Sequence, residues 1–354
     1  MKLNFDATKP IRFSVIIAFC AAAFVAGVLT ASSYTSSIYS KVSPSNKPDL
    51  QIRKNELIFS AVGDFDIGER FNQTLDNLAN GKPQFVLALG DFSYSKTSEK
   101  EWCNQVNAKV KAPFQLVAGN HDIEPLAKIE KFSACLPNRI SNLVGSYPDS
   151  YYFDYQKLAR IIIISPDIEV GGHKAKFIKD DPDYNWLKDT ISEAKKQNIS
   201  WIVVSMHKNC LTIGTKSCEI GQDLSDLLIS QKVDLILQGH EHAYMRSKQL
   251  VISDDCKTIS PLNINPESCI KSAKNGKFIK SKGSVLAIVG SGGAEERPIN
   301  KNSPSLNLFD SYYGGGDEPV YGVLQIGLTS NRLEAKFIQN QTSEIKDSFT
   351  IASE

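Results

Sequence analysis

Polar residues of one chemical kind recur at the ends of apolar runs in this sequence. LIFSAV (57–62) is followed by Gly63-Asp64, FVLAL (85–89) by Gly90-Asp91, and FQLVA (114–118) by Gly119-Asn120-His121-Asp122. WIVVSM (201–206) leads into His207, and VDLILQ (233–238) into Gly239-His240-Glu241-His242. Asp64, Asp91, Asn120, His207, His240 and His242 make a mixed oxygen and nitrogen donor set, which suits two adjacent divalent or trivalent metals. Only five histidines occur in 354 residues, and four of them, His121 included, stand in these positions. A lone Gly-Asp after a strand is more often a turn, and a lone His a structural residue. It is the conjunction that points to a site.

For these residues to meet, the runs that carry them must be strands. Short Val-, Ile- and Leu-rich stretches without alternation read as fully buried strands of a largely parallel sheet. The five above qualify, as does RIIII (160–164). The C-terminal ends of parallel strands share one edge, where open α/β folds place their sites. Helical patterns lie between them: 185–197 sets Trp186, Leu187, Ile191 and Ala194 on one side, and 71–78 is a shorter example. Alternating strands and helices indicate a layered α/β domain. The later runs 285–289, 321–326 and 333–338 read as a more antiparallel second half, and 253–282 and 291–319 as loop-rich rims.

The order GD…GDxxY…GNHD…H…GHxH resembles the calcineurin-like metallophosphoesterases. Within them GDFSY (90–94), GNHD (119–122) and GHEHAYMR (239–246) are most similar to the purple acid phosphatases. The resemblance implies a layered α/β/β/α sandwich over 55–354. It implies that Asp91 bridges two metal ions, that Asp64, Tyr94 and His242 complete the first site, and that Asn120, His207 and His240 hold the second. Tyr94 points to Fe³⁺ at the first site, because a phenol of pKa about 10 is a poor donor to softer divalent ions. The second metal would be Fe²⁺, Zn²⁺ or Mn²⁺. His121 would lie beside the substrate phosphate, with Asp122 assisting the leaving group. The activity implied is hydrolysis of phosphate monoesters by a metal-bound hydroxide. A phosphodiesterase or nucleotidase using Mn²⁺ or Zn²⁺ is the alternative, and a non-catalytic surface binding protein a weaker one.

Some residues depart from that pattern. Asp66 stands where many calcineurin-like enzymes have a His ligand, and reads as a helix cap or as a hydrogen-bond acceptor behind the metals, with an extra oxygen ligand as the alternative. Lys208, after His207, is expected to face solvent, and His173 to be a surface histidine.

Composition limits the rest. With 40 Lys and Arg against 39 Asp and Glu, the net charge of +1 offers no bulk electrostatic case for nucleic-acid binding. The expected partner is a small phosphorylated substrate; the oligomeric state stays open. Residues 13–31 form an almost wholly apolar run after Lys2, Lys9 and Arg12, about the length that spans a bilayer. They read as a transmembrane signal anchor, with 1–12 cytoplasmic and 32–54 an extracytoplasmic tether, so that the domain lies outside the cell. A cleaved signal peptide and a secreted product is the alternative. Six cysteines then lie outside, and local pairing gives Cys103–Cys135, Cys210–Cys218 and Cys256–Cys269 among 15 connectivities.

Overall fold

The structure is a computed structural model that describes residues 55–94, 98–123, 128–261, 267–271, 276–316 and 319–354. The proposed anchor at 13–31 and the tether lie outside the described residues. Among the described residues no helix is long and apolar enough to cross a membrane.

Two sheets face each other. The first contains β1 (Leu57–Val62), β2 (Phe85–Ala88) and β3 (Phe114–Leu116), which run parallel. It continues antiparallel from β1 through the strands Gly322–Leu328, Arg332–Gln339 and Ile345–Ala352. The second has a parallel centre formed by four strands, Ala159–Ile163, Trp201–Met206, Leu235–Gln238 and Val285–Val289. Antiparallel strands flank that centre, among them Ala243–Ser247 on one side and Ser150–Tyr155 on the other.

The expectation of one sheet edge is therefore corrected: three ligand-bearing strands belong to one sheet and two to the other. The reason is physical. A strand buried on both faces is apolar throughout, so its sequence does not say which sheet it joins. The alternation becomes visible only in the core. In Trp201–Met206, Trp201 and Val203 pack between the sheets, while Ile202, Val204 and Met206 face the helices Pro182–Lys196 and Gln222–Ser230. Helices Glu69–Gly81, Glu99–Lys109 and Lys128–Cys135 contribute Leu75, Trp102 and Phe132 to the cluster of the first sheet. The result is the expected α/β/β/α layering.

Helix Pro182–Lys196 starts before the expected 185. Asp181 accepts a hydrogen bond from the Tyr184 N–H at 2.7 Å, and Pro182 takes the first helical position, where its missing N–H is no loss. The three disulfides are those of local pairing.

Candidate metal centre

The ligand candidates leave their strands abruptly. Asp64, Asp91 and His240 have φ of 58°, 51° and 71°, the left-handed region that residues with a Cβ rarely occupy. Such strain persists where the surroundings over-determine it. Here they do. The Asp64 N–H donates to Gly90 O (3.0 Å) and the Phe65 N–H to Asp91 O (2.8 Å), which ties the loops after β1 and β2 together. Phe65 and Phe92, each directly after a ligand candidate, insert into an aromatic cluster around Trp102, with ring centroids 5.6 and 5.3 Å from it. Gly90 has φ of 86°, and a Cβ there would stand 2.6 Å from His207 Nδ1. A Cβ at Gly119 would collide with the amide and carboxylate of Asp91. Backbone packs directly against ligand atoms, so only glycine fits.

Two donor clusters result, and they share a carboxylate. In the first, the Tyr94 hydroxyl lies 2.9 Å from Asp64 Oδ1, 2.7 Å from Asp91 Oδ2 and 2.9 Å from His242 Nε2. In the second, His207 Nε2 lies 3.2 Å from Asp91 Oδ2, 3.2 Å from Asn120 Oδ1 and 3.1 Å from His240 Nδ1. Asp91, His207 and His240 each offer a ligand atom within 4.8 Å of the others.

Each imidazole is oriented by its far nitrogen. His207 Nδ1–H donates to Leu89 O and His242 Nδ1–H to Glu295 O, both at 2.7 Å, because a carbonyl can only accept. His240 Nε2 meets Glu219 Oε1 at 2.9 Å. In all three the other nitrogen faces inward, the one through which a metal-binding histidine acts.

The residues fit metal ions. Asp64 and Asp91 are 0% and 1% exposed, yet among the described residues only His242 and His207 come within ion-pair distance of them. Two buried carboxylates without a fixed cation are unstable unless something positive joins them. Burial opposes a charge on His207, but the facing Asp91 carries its pKa up to about 9. Burial would likewise raise Asp91, and His207 draws it well below the usual carboxylate range. At Asp64 burial wins and its pKa is raised. Burial, Asp64 and Asp91 together drive the Tyr94 phenol far above its ordinary value.

A family model for the calcineurin-like phosphoesterases matches residues 61–244. This chain belongs to that family. The phosphoesterase resembles purple acid phosphatases within it. It is 26% identical over 279 residues to a phosphoenolpyruvate phosphatase of Allium cepa, covering 72% of this chain and 53% of the relative. It is 25% identical over 247 residues to the Fe(3+)-Zn(2+) purple acid phosphatase 12 of Arabidopsis thaliana, covering 62% and 50%. The chain spans about half the length of the curated relatives it matches. In fold it is similar to the purple acid phosphatase PPD1 of yellow lupin seeds (TM-score 0.64, 15% identity, 85% of this chain and 55% of that one). It is also similar to GAP50 of Plasmodium (TM-score 0.57, 16% identity, 85% and 90%).

Around the clusters of this phosphoesterase the remaining candidates take different places. His121 is exposed; its backbone N–H donates to Asp91 Oδ1 at 2.8 Å, and its ring centroid is 4.6 Å from that of Tyr94. Asp122 is buried, and its oxygens accept from the N–H groups of Asp91 and Gly119 (both 2.8 Å) and Phe92 (2.9 Å). Burial first, and the charge of Asp91 second, push its carboxyl up to about 7. Asp66 is not the helix cap: Gly68 holds that position without a side-chain bond. Its Oδ1 is shielded from solvent and meets no donor.

Lys208 differs from the expectation of exposure. It is 8% exposed and pairs with Asp167 at 2.9 Å and Glu219 at 3.4 Å. His173 does lie at the surface, 2.7 Å from Asp149 and 3.3 Å from Asp183. Two residues behind the ligands escaped the sequence reading. Glu219 has only its place after Cys218 to mark it. Glu241 stands inside the GHEH motif, but its carboxylate turns away to accept from Thr212 Oγ1 (3.3 Å) and the Lys216 N–H.

Proposed function

We propose that this phosphoesterase hydrolyses phosphate monoesters at a pair of metal ions. The observation that carries the reading is the shared carboxylate: Asp91 Oδ2 lies 2.7 Å from the Tyr94 oxygen and 3.2 Å from His207 Nε2. One residue thus serves both donor clusters. Asp64, Tyr94, Asp91 and His242 would hold one ion, and Asp91, Asn120, His207 and His240 the other. Metal ions held there would lower the pKa of bound water and offset charge on phosphoryl oxygens.

Tyr94 favours Fe³⁺ at the first position. Burial and two carboxylates oppose loss of its proton, and a hard cation of high charge is best suited to displace it. The neutral oxygen of Asn120 makes the second set less electron-rich, which suits an exchangeable Zn²⁺, Fe²⁺ or Mn²⁺.

His121 is the group on the open side of the clusters. It is held by its own backbone bond to Asp91, and its ring is free to donate a hydrogen bond to a phosphoryl oxygen or a proton to the departing alkoxide. Asp122, with both oxygens on backbone N–H groups, holds the loops after β2 and β3 in register rather than meeting substrate. We read 13–31 as a membrane anchor for the domain.

Metal analysis and a visible spectrum of the purified protein test this reading. Two ions per chain, one of them iron, with visible absorption and hydrolysis of an aryl phosphate are expected. The variant Asp91→Asn should lose both ions and the activity; a variant keeping both at full activity ends the assignment. Colourless protein active with Mn²⁺ or Zn²⁺ would favour the diesterase or nucleotidase alternative.

A further inference from the structure

His240 is the one imidazole of the centre whose outward nitrogen meets a side chain rather than a carbonyl. Its Nε2 lies 2.9 Å from Glu219 Oε1, and its Nδ1 points inward, 3.1 Å from His207 Nε2. Glu219 belongs to the loop that follows His207, and that loop is braced more heavily than a surface connection requires. The Cys210–Cys218 disulfide closes it immediately before Glu219. The Glu219 and Ile220 N–H groups both donate to Asn209 O, at 2.8 and 3.3 Å. Asn209 is fully buried, and its Nδ2 donates to Gly239 O at 2.9 Å, the residue before His240. Gln238 Nε2 donates to Lys208 O at 2.9 Å. Lys208 in turn stands 3.4 Å from Glu219 Oε2 and 2.9 Å from Asp167. The loop is thus docked on the strand end that carries His240, and its last act is to aim a carboxylate at that ring.

We propose that Glu219 is the positioning residue for His240, and that the disulfide-closed loop 210–218 exists to deliver it. A carboxylate on Nε2–H fixes the tautomer with Nδ1 bare and makes the ring a more basic donor. The second metal then depends on Glu219, and the first does not, because His242 takes its orientation from Glu295 O. The inference rests on the reading that Asp91, Asn120, His207 and His240 hold a metal.

The test uses the full chain loaded with both metals, and a chelator titration that follows release of each ion separately. In Glu219→Ala the second ion should be released at about 10–100-fold lower chelator concentration, the usual effect of removing a ligand's hydrogen-bond partner. The first ion and the thermal melting of the metal-free protein should stay as in the unsubstituted chain. Glu219→Gln should recover most of the affinity, since its amide oxygen can accept from Nε2–H. Replacing Cys210 and Cys218 together by serine should weaken the second ion in the same direction.

Equal retention of both ions in Glu219→Ala overturns the proposal. So does a loss of both ions together with a lowered melting temperature, which would mark a merely structural residue. An unsubstituted chain that holds fewer than two ions brings down the reading of the centre itself, and this inference with it.

Discussion

Two roles compete for Asp122, and a substitution separates them. A carboxyl pushed up to about 7 by burial and by Asp91 is what protonation of a leaving group calls for. Its geometry says otherwise: it is 0% exposed, and both oxygens face the N–H groups of Asp91, Phe92 and Gly119 at 2.8–2.9 Å. Leaving one buried donor without a partner costs about 1–3 kcal/mol, so Asp122→Ala, which strands three, should lose about 3–9 kcal/mol. That is a large share of the ~5–15 kcal/mol that holds a typical domain folded. Asp122→Asn keeps one oxygen but turns an NH₂ toward a donor, and should fall between. Denaturant unfolding of the metal-free protein measures the loss. Aryl phosphates with phenols of increasing pKa supply the second arm. A displaced Asp91 slows all of them by one factor, whereas a missing acid slows the poorest leaving groups most. Asp122→Asn with an unchanged unfolding midpoint, both metals retained, and a deficit that steepens with phenol pKa would refute the positioning role.

Other residues give sharper single outcomes. Tyr94→Phe removes the phenol that lies 2.9 Å from Asp64 and 2.7 Å from Asp91 and should abolish the visible absorption, with iron content falling; a retained colour would place the chromophore elsewhere. Gly119→Ala drives a Cβ into the Asp91 amide and should destabilise the fold by about 1–3 kcal/mol while lowering metal content, read by thermal melting and metal analysis. Asp234 is remote from the centre and 7% exposed; burial raises its pKa from 3.8 to about 6 while it accepts the Ile202 N–H at 2.9 Å. Because the folded state holds this proton more tightly than the unfolded chain, stability falls as pH rises from about 4 through 6, by about 3 kcal/mol in all. Asp234→Asn, which keeps an acceptor for Ile202, should therefore melt higher than the unsubstituted protein at pH 7–8, and the gain should vanish below about pH 4.

Much of the layered fold was legible because its strands are uninterrupted apolar runs. Trp201–Met206 and Leu235–Gln238 could be located from composition alone, but their assignment to a different sheet from β1, β2 and β3 could not. Lys208 was misjudged for a related reason. A lysine after a strand normally faces solvent, and only the tertiary placement of Asp167 and Glu219 supplies the charges that let it be 8% exposed.

The contrast between Asp64, Asp91 and His240 on one side and Glu219 and Asp122 on the other has a single physical source. A side chain that must turn off a strand end into a shared centre needs a backbone bend within one residue. That bend is seen as positive φ at all three, and as a glycine directly before each where neighbouring backbone or a ligand leaves no room for a Cβ. Gly-Asp or Gly-His after an apolar run is the imprint of that bend, so these residues announce themselves. Glu219 and Asp122 act by hydrogen bonds to atoms brought close only by the fold, His240 Nε2 in one case and the Asp91 and Phe92 amides in the other. No local rule demands a glutamate at 219, whereas Asp122 also accepts the Gly119 N–H three residues before it, as a capping box does. Side chains that turn off a strand end, as at Asp64, Asp91 and His240, leave a mark in the chain, whereas one that reaches a ring from another loop, as Glu219 does, leaves one only in three dimensions.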